Sequence, residues 1–480
     1  MVSACDYNKS SSNNNVVTFW IADSPYSADP LDYDAFSHHI AFSSVNAGLV
    51  TNYSFGKYTG IIAKEWESSA DHKIWRFVIR KNIKFGNGDL IKPKDVADSW
   101  NRLALILKRR GSQSGFFEKI EGFDLLERNG YISGISFDDN QITLHFLEAM
   151  PGLLDIISFG LYSVVHHSCY DNTGKWIDPR KTVASGAYMI KKWDDNSLVL
   201  ELREDFPPEL RHSKPLRKVE IIWSPEKRLS SDIISGNSRE SIPSDKYSYY
   251  GEAESRIAYI RCQSWSHRDS PLHNKSLRKQ LRALFYTYLE KSGFNPTRSF
   301  FPLAIKEVHE MKDVGRIGKN LFLSPQYIIK YRPYMAEVSP LDEFTSKAIK
   351  LALKDVGLNM ELVNTPKRIM AEEFSPDLAY YHNDIVSIVT GILIDSPESD
   401  IRFMFKSKEG IRLPDPTGQI LKVINKSPID VQRVNEILWD DAIIWPVTHL
   451  SIGLWGQKDL DFSRVNTIIP PTAIHLIGWK

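Results

Sequence analysis

The stretch from Ala63 to Arg102 constrains the fold of this chain more than any other segment. From Trp75 to Phe85, apolar residues largely alternate with polar or basic ones, which is the period of a strand with one buried face. The Asn-Gly pair at 87–88 supplies turn chemistry. Pro93 stands where a first helical turn tolerates a missing N–H, and apolar residues at helical spacing follow it. The segment therefore predicts a strand, a tight turn and an amphipathic helix in direct succession.

The order of residues in this segment forms a motif. The motif consists of Ala63, Trp66, Glu67, Asp71, Lys73, Trp75, Phe77, Arg80, Lys84, Phe85, Gly88, Pro93, Asp95 and Val96. It resembles the signature of family 5 extracellular solute-binding proteins, the oligopeptide- and dipeptide-binding receptors of bacterial ABC importers. Further segments resemble that family in the same chain order, and the similarity covers most of residues 16 to 455, with a weaker match after Leu202. These segments are 29–32, 46–50, 185–202, 271–281 and 347–360.

The resemblance implies an α/β (mixed α+β) fold of the two-lobed periplasmic-binding-protein type II, with an extra N-terminal subdomain and a hinge between the lobes. The length of 480 residues agrees with two lobes, because single hydrophobic cores stop growing near roughly 250 to 300 residues. We expect the first hinge crossing at Ile257 to Cys262. The expected boundaries are 1–15 for a tether, 16–50, 181–255 and 450–480 for lobe I, 51–180 for the extra subdomain of lobe I, and 256–449 for lobe II.

The N-terminal residues predict an anchor. Val2-Ser3-Ala4-Cys5 matches the last four positions of a bacterial lipoprotein signal, and the polar tract at 6–15 has the composition of a flexible tether. The basic and apolar regions of a signal peptide do not precede Cys5, so the signal peptide is apparently missing from this chain. We predict a periplasmic or cell-surface protein that is membrane-anchored through lipidated Cys5. An accidental Ser-Ala-Cys in a ragged terminus is the alternative.

By resemblance, two segments should carry ligand contacts. The loop at 24–27 offers main-chain groups from the first lobe, and Asp384 falls where peptide receptors place the carboxylate that pairs with the ligand's α-ammonium group. Such a pair orients a ligand strongly when closure buries it. Trp265 follows the presumed hinge strand and is a candidate for stacking on the ligand. The candidate ligand-binding residues are Ser24, Pro25, Tyr26, Ser27, Trp265, Tyr381, His382, Asn383 and Asp384.

Other interpretations of these residues remain open. Pro25 has no N–H to offer to a paired strand. The apolar run from Ile385 to Gly391 predicts a strand or a helix, so Asp384 is equally well interpreted as a helix N-cap or a surface carboxylate. Trp265 could instead be an exposed loop aromatic. Cys169 and Cys262 are predicted to be buried free thiols.

Motifs for catalysis and metal binding are missing from the sequence. The segment 111–115 has Gln where a nucleophile elbow needs Ser, no phosphate-binding glycine motif occurs, and no C-x-x-C is present. His38-His39 and His166-His167 are adjacent pairs, whose side chains point in different directions instead of toward one metal. We therefore predict a protein that is not an enzyme, with no catalytic residues, no metal and no cofactor.

Three functional hypotheses follow. The first is a lipid-anchored importer receptor that binds peptides or a similar small solute, acts as a monomer and delivers the solute to an ABC permease. The second is a sensing or regulatory protein of the same fold with a non-peptide ligand, and the third is a hydrolase. A formal charge of +1, from 60 basic and 59 acidic residues, gives no reason to expect nucleic acid as a partner.

Overall fold

The computed structural model describes most of the chain. The described residues are 16–33, 36–54, 57–109, 115–237, 242–251, 256–303, 305, 307–312, 327–333, 340–363, 383–391, 401, 404–405, 413, 415–426, 428–465 and 473–480. Within them, the strands are β1 (Val16–Trp20), β2 (Val50–Ser54), β3 (Lys57–Gly60), β4 (Ala63–Ser68), β5 (Ile74–Ile79), β6 (Ile135–Phe137), β7 (Gln141–His145), β8 (Tyr188–Trp193), β9 (Ser197–Leu202), β10 (Lys218–Ile222), β11 (Ile233–Asn237), β12 (Tyr247–Gly251), β13 (Arg256–Cys262), β14 (Ile328–Arg332), β15 (Asn359–Leu362), β16 (Ile385–Gly391), β17 (Ile444–Leu450), β18 (Ile452–Gln457), β19 (Leu460–Asp461) and β20 (Gly478–Trp479).

Helices connect and cover these strands. The described α-helices are α1 (Phe36–Phe42), α2 (Pro93–Arg109), α3 (Leu126–Asn129), α4 (Leu153–Ile157), α5 (Lys275–Lys291), α6 (Pro340–Asp355), α7 (Gln419–Ile424) and α8 (Val431–Asp441). Short 3₁₀ helices occupy Pro30–Asp32, Gly115–Lys119, Phe123–Leu125, Gly160–Tyr162, His167–Cys169, Pro208–Leu210, Pro225–Ser230, Gln263–Ser266, Pro271–His273 and Ile474–Leu476.

Two large sheets organise the chain. The first has seven strands in the order β12-β18-β11-β1-β10-β9-β8, and the second has five in the order β15-β14-β16-β13-β17. The main core lies on one face of the first sheet, and a small cluster around Trp20 and Tyr247 lies on the other. Both faces of the second sheet are covered, by α5 and α6 on one side and by α7 and α8 on the other. Each sheet thus has a core of its own.

In the described strands, the chain passes between the two sheets twice. It leaves β12 at Gly251 and enters β13 at Arg256, and it leaves β17 at Leu450 and enters β18 at Ile452. The expectation that Ile257–Cys262 forms the first crossing is wrong, because β13 pairs along its whole length with β16 and along most of it with β17. The sequence alone does not distinguish the two cases, because an apolar strand that is buried on both faces has the same pattern inside a sheet as in a connection between two sheets.

The opening segment folds into a small domain on the first lobe. Its sheet has the order β4-β5-β7-β6, and α2 buries Trp100 against this sheet. The predicted strand and helix are confirmed as β5 and α2, although the strand ends at Ile79. Ile83 and Phe85 are buried in the following turn instead of extending the strand, because Phe85 N–H donates to the Asp89 carbonyl across it. Gly88 supplies the left-handed conformation that this turn requires, with φ of 95°.

Both described cysteines are buried and reduced, as predicted. Cys169 packs beside Trp176, and Cys262 lies in the core of the second lobe. Burial raises the pKa of the Cys262 thiol to about 12 and also raises that of Cys169. Among the described helices, none combines the length and apolarity that crossing a bilayer requires.

The C-terminal His475 makes stability depend on pH. It is 5% exposed, its Nδ1 lies 3.0 Å from Ser44 Oγ, and burial lowers its pKa to about 3. Below pH 6.5 the unfolded chain therefore binds a proton that the folded chain does not bind, so the free energy of unfolding decreases as the pH is lowered. We expect the free energy of unfolding to drop by about 2 kcal/mol between pH 7 and pH 5 from this residue alone. Urea unfolding at the two pH values measures the drop.

Two variants isolate this contribution. His475→Gln should lose about 2 kcal/mol less than the wild type over the same pH interval. His167→Gln removes an exposed histidine and should keep the wild-type pH dependence. An unchanged pH dependence in His475→Gln would contradict the assignment.

Candidate functional site

The two crossings mark one end of each sheet. In the first sheet this end holds Gly251, Asn237 and Ile452, and β1 runs toward it because β1 is parallel to β11. In the second sheet the crossing end holds Gly391 and Leu450, and β14 and β16 run toward it. Parallel strands of both sheets thus direct their carboxyl ends at the crossings. In open α/β sheets, ligands bind outside the carboxyl ends of the strands.

The loop at Ser24–Ser27 lies on this side, directly after β1. The main-chain N–H of Tyr26 donates to His38 Nε2 on α1 at 3.1 Å, and the two rings meet edge to face with centroids 4.4 Å apart. Further on, Ala28 N–H donates to the Pro179 carbonyl at 2.7 Å. Tyr26 is 40% exposed, whereas its neighbours on both sides are buried. The main chain of the loop is thus held by these hydrogen bonds, while the ring of Tyr26 reaches solvent.

A buried ion pair fixes the C-terminal side of the loop. Arg102 of α2 holds Asp29 in a two-pronged contact, with Nη1–Oδ1 at 3.0 Å and Nη2–Oδ2 at 2.5 Å. Arg102 Nε donates to the Gly174 carbonyl, and its guanidinium lies over the rings of Tyr170 and Trp176. The side chains of the pair are 5% and 7% exposed. Such a pair is strongly orienting and is costly if one partner is removed.

Two residues of the loop keep main-chain groups without a partner in the described part of the chain. Ser27 is 3% exposed, and no described group pairs with its N–H or its carbonyl, although its hydroxyl accepts from Asp29 N–H at 3.1 Å. The same holds for the carbonyl of Pro25, a buried residue that has no N–H. Buried main-chain groups are nearly always paired in native proteins. These groups are therefore candidates for pairing with a ligand.

Asp384 has a different environment. It precedes β16 and is 8% exposed, and its carboxylate accepts from Tyr327 hydroxyl at 2.9 Å and from Lys330 N–H at 3.0 Å. Its carbonyl accepts from Gln263 N–H at 2.7 Å. The interpretations of Asp384 as a helix N-cap or as a surface carboxylate are both wrong, because it is buried at the start of a strand. It joins β14 to the segment after β13 within the second lobe.

Trp265 lies near Asp384. It stands in the 3₁₀ helix Gln263–Ser266, half-buried against the core between the second sheet and α8, so the alternative of an exposed loop aromatic is wrong. Asp384 and Trp265 occupy the end of the second sheet remote from the crossings, since Cys262 pairs with Ile385 there. Six residue steps along β13 separate the two ends, roughly 20 Å at about 3.3 Å per residue.

The predicted site residues therefore fall into separate groups. Ser24, Pro25, Tyr26 and Ser27 lie on the crossing side, whereas Asn383, Asp384 and Trp265 lie at the remote end of the second sheet. Tyr381, His382 and Cys5 lie outside the described residues. The described residues contain no cluster of three or more His, Cys, Asp or Glu side chains arranged to hold a metal ion.

Sequence reasoning missed Arg102 and His38, the two residues that hold the loop. Arg102 lies on the buried side of α2 beside Ser99 and Leu103, and a buried arginine is rare unless it is paired. The position of Arg102 on the buried side of the predicted helix was the feature of the sequence that could have indicated a paired arginine. His38 was considered only as part of an adjacent pair with His39, and nothing in the local pattern links it to Tyr26.

Two lobes, each with its own sheet, joined by two crossings have the architecture of the type II periplasmic-binding fold. Residues 57–227 match the family of bacterial extracellular solute-binding proteins, family 5, in its middle region, so the predicted resemblance is confirmed. The periplasmic oligopeptide-binding protein OppA of Salmonella typhimurium is 28% identical over 161 residues, which are 32% of this chain and 30% of that protein. The dipeptide-binding protein DppE of Bacillus subtilis is 24% identical over 156 residues, 30% of this chain and 28% of that protein. The matched segments span about a third of the length of these curated relatives.

Solved structures match over nearly the whole chain, which confirms the predicted fold class. The murein tripeptide binding protein MppA of Escherichia coli superposes with a TM-score of 0.73 at 16% identity, covering 98% of this chain and 99% of that one. A dipeptide binding protein from Pseudoalteromonas in complex with Met-Leu gives 0.72 at 14% identity, covering 97% and 100%. The unliganded open form of MppA gives only 0.55 at 16% identity, covering 98% of each chain.

Proposed function

We propose that this protein is the substrate-binding receptor of an ABC importer that captures peptides or a similar small solute between its lobes and delivers them to a membrane permease. The observation that carries the proposal is the loop at 24–27 at the crossing end, where main-chain groups of the buried residues Pro25 and Ser27 have no partner among the described residues. An extended peptide supplies matching main-chain donors and acceptors regardless of its side chains.

The two crossings suit a receptor that works by closure. A few backbone torsions near Gly251 and Ser451 can absorb a rotation of the lobes while each core stays rigid. Tyr249 hydroxyl donates to the Ser451 carbonyl at 2.6 Å, which connects the two crossings. A ligand held by both lobes stabilises the closed form by its differential affinity for that form. In this proposal the protein is not an enzyme.

Location and partner follow from the same role. We propose a periplasmic or cell-surface protein, anchored through Cys5 if that residue is lipidated, that acts as a monomer with an ABC permease. The alternative is a sensing protein with a non-peptide ligand. One observation keeps it in view: a protein of this fold, NikA from Brucella suis, is known in complex with Fe(III)-EDTA and superposes with a TM-score of 0.65 at 13% identity, covering 97% of this chain and 100% of that one.

A melting screen tests the proposal. The full chain is heated with pools of di- to pentapeptides, with sugars and with metal chelates. We expect a peptide pool to raise the melting temperature by several degrees, because a ligand at about 100 times its Kd adds about 2.7 kcal/mol of stability. A response to chelates or sugars alone would favour the sensing protein with a non-peptide ligand. No response to any pool would contradict the proposed function.

The role of Asp384 as the partner of a ligand ammonium group stays a prediction, and comparing free with N-acetylated peptides tests it. Because Tyr327 and Lys330 already use its carboxylate, we expect Asp384→Asn to lower stability by about 1–2 kcal/mol and to keep the preference for free peptides. Loss of the preference in Asp384→Asn would support the predicted ligand role.

A further inference from the structure

His38 occupies a position behind the ligand-facing loop that the proposed function leaves unexplained. It lies on α1 and is 2% exposed. Its Nε2 accepts the Tyr26 N–H at 3.1 Å, so this nitrogen carries no proton. Its ring is edge to face with the Tyr26 ring, with centroids 4.4 Å apart, and stacks on the Phe42 ring, with centroids 6.4 Å apart. The imidazole thus packs against two rings, and its acceptor nitrogen Nε2 faces the main chain of the loop.

The contact falls between two other anchor points. Asp23 N–H bonds to Ser37 Oγ of α1 at 3.3 Å, and Ala28 N–H bonds to the Pro179 carbonyl at 2.7 Å. His38 holds the stretch between them at Tyr26, next to the two residues whose main-chain groups have no partner in the described ranges. The hydrogen bond from Tyr26 to His38 therefore influences the orientation of the main-chain groups of Pro25 and Ser27.

We propose that His38 is a positioning residue that aims the Pro25 carbonyl at the bound ligand. The Pro25 carbonyl and the Tyr26 N–H belong to one planar trans peptide unit and point in opposite directions. Fixing the N–H on His38 therefore turns the carbonyl away from α1. That carbonyl accepts a hydrogen bond from an N–H of the ligand, as a peptide amide or an ammonium group supplies. The inference rests on the proposed function and adds the ligand group that this loop selects.

Three variants separate positioning from folding. His38→Phe keeps a ring of similar size but removes the acceptor, and His38→Asn restores an acceptor on a smaller side chain. His39→Phe is the matched control, because it makes the same substitution at the next residue of α1, where His39 contacts the ring of Tyr33. The ligand is the tightest-binding peptide from the melting screen, measured by calorimetry.

We expect His38→Phe to bind this peptide about three- to tenfold more weakly, the loss that one net hydrogen bond predicts, with His39→Phe within about twofold of wild type. His38→Asn should recover part of the loss. Methylating in turn each amide nitrogen of the peptide should identify one N–H whose removal weakens binding to wild type and has little further effect in His38→Phe. A purely structural role of His38 would not produce that non-additivity.

Amide hydrogen exchange gives a readout that does not need a ligand. In His38→Phe the Tyr26 amide should exchange faster, while the amides of α2 and β5 keep their protection. Unchanged exchange at Tyr26, or wild-type affinity despite faster exchange, would overturn the proposal. If His38→Phe does not fold, the same two measurements on His38→Asn against His39→Phe decide it. If no peptide binds the wild type, the proposed function is wrong, and so is the ligand contact of the Pro25 carbonyl. In that case, the exchange rate of the Tyr26 amide still shows whether His38 holds the loop.

Discussion

Arg102→Met is expected to lower the free energy of unfolding by about 3–5 kcal/mol, because it leaves the carboxylate of Asp29 buried without its cation. The pair is almost fully buried, and Arg102 also donates to the Gly174 carbonyl and packs between two aromatic rings. The methionine keeps the apolar stem but none of the donors. Urea unfolding at pH 7, followed by tryptophan fluorescence, measures the difference. Under the proposed function, ligand affinity should fall as well, because Asp29 fixes the loop that we propose offers main-chain groups to the ligand.

An exposed pair provides the control. Arg76 bonds to Glu67 at 3.2 Å with side chains 39% and 71% exposed, so Arg76→Met should cost less than about 1 kcal/mol. The double variant Asp29→Asn, Arg102→Met should be more stable than Arg102→Met alone, since it leaves no charge buried. Equal losses in Arg102→Met and Arg76→Met would show that the buried pair does not stabilise the loop.

The second large effect is expected in the other lobe, at Arg278 on α5. Its Nε and Nη2 donate to the Asp441 carbonyl at the end of α8, and its Nη1 donates to the carbonyls of Leu272 and His273. Burial lowers the pKa of its guanidinium. Arg278→Met removes the donor from three carbonyls at once, and each carbonyl that stays dry costs about 1–3 kcal/mol. We expect a loss of about 3–5 kcal/mol in urea unfolding.

The next residue on the same helix serves as a control. Lys279 is half-buried, with 42% of its side chain exposed, and contacts the Asp440 carboxylate at 2.5 Å, so Lys279→Met should cost at most about 1 kcal/mol. Both variants carry the same substitution one residue apart and remove the same charge. A loss in Arg278→Met no larger than that in Lys279→Met would mean that water replaces the lost donor at the end of α8.

Local patterns were sufficient for much of the fold. The alternation at Trp75 and Phe77 predicted β5, and Pro93 marked the start of α2, because both signals depend on neighbours within a few residues. The same local pattern overextended the strand to Ile83 and Phe85. Those side chains are buried in a turn, and burial looks alike in a turn and in a strand when only the sequence is known.

The candidate site was harder to predict, because its contacts join distant parts of the chain. Asp29 belongs to a segment that resembles the family, but its partner Arg102 lies 73 residues away on a helix of the extra subdomain. His38 is only 12 residues from Tyr26, yet the contact needs the loop to fold back over α1. Neither the periodicity nor the composition of the sequence indicates that the loop folds back over α1.

The segment from Ala63 to Arg102 illustrates the division between the two sources of information. Its residue order was enough to predict the resemblance to family 5 solute-binding proteins, which match over residues 57–227, and to predict the local elements, since strand, turn and helix each follow from short-range sterics and burial. The proposed ligand-facing side of the protein depended on strand pairing: β13 with β16 and β17 places Asp384 at the remote end of its sheet, and β1 with β11 places the 24–27 loop near the crossings. A strand has the same side-chain period in either direction, so only pairing between distant strands defines which of its ends faces the cleft.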